Sequence, residues 1–124
     1  MRTKFDNQLE QLNNELISMG ALCEKAITLT SQAIMTKDLE KAKEAIAIDK
    51  DIVMKNREIE NLCLKLLLQQ HPVARDLRFI SSALKMITDM GRIGHQASDL
   101  AEILIFADLS ELHSSENLLK MSQA

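Results

Sequence analysis

The sequence predicts an all-α protein: an antiparallel three-helix up-down-up bundle with the start of a fourth helix. Three observations carry that reading. Glycine (3) and proline (1) together make about 3% of the 124 residues, against roughly 12% in average proteins, and they are confined to Gly20, Pro72, Gly91 and Gly94. A β-sandwich or barrel needs turn residues at roughly every 8–12 positions, so all-β architecture is excluded. Trp and Tyr are absent, and the 46% of apolar residues are mainly Leu, Ile, Ala and Met, which are good or acceptable helix formers. Finally, apolar residues recur at three- and four-residue steps over long segments separated by short breaks, and helices joined in that way are antiparallel neighbours. The length is that of one domain, able to bury a core without disulfides or a structural metal.

The first stripe runs Phe5, Leu9, Leu12, Leu16, Met19, Cys23, Ala26 and Ala33. Its early steps alternate four and three, the heptad seam of a coiled-coil-like helix, and predict a helix over about residues 3–36. Thr30 interrupts the seam once. Gly20 lies mid-helix, one residue off the seam, at a cost of ~1 kcal/mol relative to Ala, and is expected to let a neighbouring helix approach. Thr36-Lys37-Asp38 is the first break, with Asp38 as N-cap of the second helix.

The second stripe is Leu39, Ala42, Ile46, Asp49, Val53, Asn56, Glu60, Cys63, Leu66 or Leu67, and Gln70. Asp49 and Asn56 place polar groups on the seam, where such residues fix register at a cost in stability; a functional role for them stays open. The end, LCLKLLL, is apolar almost all round and is expected to be central in the packing. His71-Pro72 makes the second break, since proline disfavours helix in the residue before it and suits a first helical turn.

The third stripe is Val73, Leu77, Ile80, Leu84, Ile87, Met90 or Gly91, Gly94, Ala97, Ala101 and Leu104. Its change from large residues to small ones predicts a very close neighbour along Gly91, Gly94, Ala97 and Ala101. Ala107–Ser115, with its Asp, Ser and His, is expected to be a linker, after which ENLLKMSQA opens a fourth amphipathic pattern. Residues 1–107 are thus one bundle and 108–124 a separate end.

Fifteen basic and eighteen acidic residues give a formal charge of −3, which argues against a dedicated nucleic-acid binder. No like-charge run forms a polybasic membrane anchor. The apolar run Ile103–Ala107 is far short of the ~20 residues that span a bilayer. The start, MRTKFDNQLEQL, lacks the apolar region of a signal peptide, so the chain reads as cytoplasmic. Cys23 and Cys63 fall on apolar stripes and read as buried thiols.

No phosphate-binding glycine loop, nucleophile elbow, CxxC pair or HExxH motif occurs. Ser81-Ser82 has no adjacent base, so no enzymatic role is expected. His95 and Asp99 are four apart and share a helix face, a spacing that can supply two metal ligands. A solvated polar face is the competing reading. From spacing alone, Asp49, Asp51, Glu58 and Glu60 of the second helix read as surface ion-pair partners rather than ligands.

The stretch Gln70-His71-Pro72-Val73-Ala74-Arg75-Asp76-Leu77-Arg78 closely resembles the Q-x-P-x-A-x-D-L-R signature of the PhoU family. Met19-Gly20, Asp49-Lys50, Cys63 and Arg92-Ile93-Gly94, at the family's E-R-I-G-D box, also match, so the resemblance covers about residues 5–107. It implies tandem three-helix repeats, with this chain as the first and 108–124 as a linker and the truncated start of the second. The implied function is a non-enzymatic cytoplasmic regulator of phosphate uptake and phosphate-dependent signalling. It would be an adaptor between the phosphate transporter ATPase subunit and a sensor histidine kinase, reaching the membrane only through those partners.

The resemblance also bears on sites. Arg75, Asp76, Arg78 and Arg92 become candidate partner-binding residues; for the first three the alternative is an ion-pair network locking the corner between the second and third helices. Some family members bind metals through acidic E/D-x-x-x-D motifs. Here the box reads Gly91-Arg92-Ile93-Gly94-His95, losing an acid at 91 and gaining His95, which weakens a carboxylate cluster suited to hard cations. The expected alternative is a transition metal, Zn or Fe, held by His95, Asp99 and Asp49. Half of a two-repeat protein exposes the surface its second bundle covers, so a homo-oligomer is expected. The alternatives to the adaptor are a metal-binding bundle and an oligomerisation module.

Overall fold

A computed structural model describes residues 3–69 and 72–123. They form three helices, α1 (Lys4–Thr36), α2 (Leu39–Gln69) and α3 (Ala74–Gln123), with no strand among the described residues. The all-helical class read from composition is therefore observed.

Local chemistry sets the ends. Thr3 and Asp6 form a capping box: Asp6 N–H donates to Thr3 Oγ1 at 3.1 Å and Thr3 N–H to Asp6 Oδ2 at 3.3 Å, so two otherwise orphan donors are satisfied. α1 stops at Lys37, whose φ of 53° is left-handed and costs an L-residue about 1–2 kcal/mol. The turn is held by Asp38 N–H donating to the Ala33 carbonyl at 3.2 Å. Asp38 then caps α2, its Oδ1 accepting from Glu40 N–H at 3.1 Å and Lys41 N–H at 3.4 Å, the role its sequence position suggests. The second break falls partly on Gln70 and His71, which lie outside the described residues. Beyond it, Leu77 N–H donates to the Val73 carbonyl at 2.9 Å, and Asp76 sits in the first turn of α3, where an acid meets the positive helix end favourably.

The α1 seam packs as its spacing suggests, with Leu12, Leu16, Met19, Cys23, Ala26 and Ala33 buried. Thr30 is also buried, because its Oγ1 donates to the Ala97 carbonyl of α3 at 3.3 Å. In α2 the seam lies largely one residue earlier than the stripe suggested. Ala45, Ile48, Ile52 and Ile59 are buried, whereas Val53 and Glu60 are exposed and Ile46 is half-buried. The physical reason is that Asp49 and Asn56 lie at the edge of α2 toward α3, where His95 and the Ile87 carbonyl meet them, rather than at the centre of its buried face. The end of α2 is not buried all round either: Leu62, Cys63 and Leu66 face inward while Leu64 and Leu68 are exposed. Fully buried side chains such as Leu12, Met19, Ile59, Leu66 and Ile80 contribute about 1.5–3 kcal/mol each.

The expected linker does not interrupt α3. The helix runs unbroken through 107–115 to Gln123 over 50 residues, about 75 Å at 1.5 Å per residue, so its last turns form no separate fourth helix. Asp, Ser and His made the segment look like a loop, yet it holds no glycine or proline, and Leu109, Glu111 and Leu112 are helix-compatible. Of the small residues, Gly91 and Gly94 do face α2 closely. Gly20 does not: a Cβ built there meets nothing within 4 Å, so the expected close neighbour is absent at that point.

Candidate functional site

The α2–α3 interface is tight because α3 carries no side chain at two points. A Cβ on Gly94 would lie 2.6 Å from Ile52 Cδ1, and one on Gly91 would lie 2.9 Å from Asn56 Nδ2. Asn56 uses the space to donate from Nδ2 to the Ile87 carbonyl at 3.2 Å. This approach carries His95, the residue after Gly94, to the edge of α2. Its Nδ1 is 3.7 Å from Asp49 Oδ2 and its Nε2 is 3.6 Å from Asp99 Oδ2. The ring is 70% exposed and the Asp49 side chain 16%. His95 and Asp49 border an open cleft of about 430 Å³ that also meets Asn56, Arg57, Glu60 and Thr88.

The sequence thus identified three residues that the fold brings together, but their arrangement is a bridge, not a chelate. Each imidazole nitrogen faces a different carboxylate, beyond hydrogen-bond length. A ligating nitrogen must point its lone pair at the ion from ~2.0–2.1 Å, and one ion cannot receive both faces of one ring. Among the described residues no three His, Cys, Asp or Glu side chains are placed to hold one metal ion, so this donor set does not fit zinc or iron as it stands. What it can do is electrostatic. His95 of α3 faces Asp49 across the interface on α2 and Asp99 one turn along its own helix, which suits the mixed charge of the cleft. Asp49 Oδ1, turned inward, is buried without a hydrogen-bond partner among the described residues, lying on the Gly94 side.

Arg75 and Arg78 are exposed on the first turns of α3 and Asp76 is half-buried. None of them makes an ion pair among the described residues, so the locking network envisaged for that corner is not formed. Arg92 is likewise exposed. Lys85, between Arg78 and Arg92 at seven-residue spacing, belongs with them and was missed in the sequence; the signal was the spacing itself. Elsewhere Lys55 joins α2 to α1, its Nζ 2.7 Å from Glu15 Oε2 and 3.3 Å from Glu58 Oε2. The hydrogen bond to Glu15 holds the Lys55 ammonium above its ordinary range, partly opposed by burial.

Both cysteines are buried. Burial pushes the Cys63 thiol up to about 11, with a smaller push from Glu60, and raises Cys23 as well. Cys23 Sγ donates to the Met90 carbonyl at 3.3 Å. Neither is placed as a reactive thiolate.

Comparison with known proteins adds a name to this geometry. Residues 16–104 match the family described as PhoU domain. The phosphate-specific transport system accessory protein PhoU homolog of Synechocystis sp. is 35% identical over 102 residues, 82% of this chain and 46% of the relative. The homolog of Clostridium acetobutylicum is 38% identical over 104 residues, 83% of this chain and 48% of the relative. That of Aquifex aeolicus is 30% identical over 121 residues, 97% of this chain and 55% of the relative. The chain spans about half the length of the curated relatives it matches. No solved structure matches it significantly.

Proposed function

The chain belongs to the PhoU domain family, and from that premise we propose that it is a non-enzymatic accessory module of phosphate transport. In this reading it acts in the cytoplasm as an adaptor between the phosphate transporter ATPase subunit and a sensor histidine kinase. The observation that carries the reading is the family match across most of all three helices, with relatives that are named accessory proteins of the phosphate-specific transport system. It is supported by the exposed Arg75, Arg78 and Arg92, unpaired among the described residues, charges held ready for another molecule. No helix among the described residues is long and apolar enough to cross a membrane; in this reading, contact with a transporter runs through protein partners.

The reading takes the helices as an up-down-up bundle. Its support is that hydrogen-bonded pairs of α1 and α3, Cys23–Met90 and Thr30–Ala97, keep one separation of 67 residues. Pairs of α1 and α2, Glu15–Lys55 and Gln32–Lys41, run in opposite order. Self-association is part of the same reading, favoured by Phe106, Leu109 and Leu112, which stand exposed where α3 outruns the bundle.

The test is a binding titration of this chain against the ATPase subunit and the cytoplasmic part of the kinase from the same organism. Saturable binding to either is expected. A folded helical sample that binds neither would overturn the adaptor role for this chain.

A further inference from the structure

The flanks of α1 and α3 border an open groove. Ile27 and Ile34 of α1 are each 49% exposed, and Ile93 and Leu100 of α3 are 39% and 50% exposed. Together they line a depression of about 220 Å³ that is mostly apolar. The α3 row continues at seven-residue spacing through Phe79 and Met86, both exposed. Seven residues are almost two helical turns, so such a row forms a nearly straight seam of the kind that receives another helix. On α1, Gly20 stands seven residues before Ile27, and the space beside it is open.

A second row gives the groove its chemistry. Arg78, Lys85 and Arg92 immediately precede the seam residues Phe79, Met86 and Ile93 and repeat at the same spacing, and the row ends at Asp99, before Leu100. All three are exposed, and none is ion-paired among the described residues. A line of cations beside an apolar seam selects its occupant, because flanking charges set partner choice and like charges opposite are costly. An antiparallel second copy on this face would bring its own cation row to the same edge.

We propose that the α1–α3 face is a docking groove for an amphipathic helix of a protein partner. The apolar stripe of that helix seats on Ile27, Ile34, Ile93 and Leu100, and an acidic row along it pairs with Arg78, Lys85 and Arg92. This deepens the adaptor reading and rests on it, naming the surface and the chemistry of the partner.

The test uses the whole chain and two synthetic helical peptides of about three heptads with Leu at the seam positions. One carries Glu along its flank and the other Lys, and binding is followed by fluorescence anisotropy. The acidic peptide is expected to bind saturably and more weakly as salt rises. Ile93→Asp, and separately the triple change Arg78→Ala, Lys85→Ala, Arg92→Ala, is expected to weaken it about tenfold or more, a loss of ~1.4 kcal/mol for each tenfold, with melting unchanged in the triple variant. The lysine peptide is expected not to bind. Equal binding of both peptides, or binding of neither, overturns the proposal. So does a homodimer of the chain that Ile93→Asp converts to monomer, since the occupant would then be a second copy. Because the peptides probe the groove alone and the titration with ATPase and kinase probes the adaptor role, the two failures are distinguishable.

Discussion

Gly94 and Ile52 face each other across the α2–α3 interface so closely that a Cβ on the glycine would stand 2.6 Å from Ile52 Cδ1 and 3.3 Å from its Cγ2. Ile52 is fully buried, so its side chain cannot swing aside without displacing other core atoms. Gly94→Ala is therefore expected to destabilise the protein by about 1–3 kcal/mol despite the gain in helix propensity. Ile52→Val, which removes the closest methyl, is expected to cost about 0.5–1.5 kcal/mol alone and to recover part of the loss when combined. A double-mutant cycle by denaturant titration measures this coupling. Gly20→Ala is the counter-case: with nothing within 4 Å, it is expected to stabilise by about 1 kcal/mol.

The Cys63 thiol, held up to about 11 by burial, ties stability to alkaline pH. The folded chain keeps a proton that the unfolded thiol, near 9, gives up first. The contribution is thus fully present below about pH 9 and is lost as pH rises through the folded value. Denaturation midpoints should fall over that window, and the fall should be shallower in Cys63→Ala.

His95 bridges two carboxylates instead of joining them around one point. Zinc added to the purified chain and then removed by dialysis is expected to leave less than one ion per chain by elemental analysis. A stoichiometric ion lost in His95→Ala would show that Asp49 and Asp99 reorient around it.

Arg75 and Arg78 touch no acid among the described residues. The double change Arg75→Ala, Arg78→Ala should shift stability by less than about 0.5 kcal/mol, as exposed substitutions do. Partner affinity per folded molecule should drop. A large fall in melting with unchanged affinity would restore the structural role.

Much of the fold was legible in the residues. The α1 seam stood out because its heptad steps are regular, and Asp38 announced its cap by type and place. The α2 seam lies one position away from its apparent stripe because the polar edge residues Asp49 and Asn56 fall into the same periodicity as the apolar ones. The extension of α3 was hidden by composition: Asp108, Ser110 and His113 are common in loops, yet nothing among them breaks a helix. At the candidate site, the i, i+4 spacing of His95 and Asp99 was readable. The direction each nitrogen takes was not, since it depends on how far Gly94 lets α3 sink onto α2. The groove was not legible in the residues because Phe79, Met86, Ile93 and Leu100 are exposed, a second apolar row beside the core stripe of α3 rather than part of it.

The unbroken α3 also fixes an angular setting. In a helix without a joint, each residue advances the chain by 1.5 Å and turns it by about 100°, so the face shown by Leu109 and Leu112 is geared to the face shown by Ile93 and Leu100. Inserting one residue at Ala107 would leave the bundle intact and rotate everything after it by that angle. Four would restore nearly the original bearing about 6 Å farther out. A partner that grips both the bundle and the projecting rod would therefore feel insertions by phase before it felt them by length.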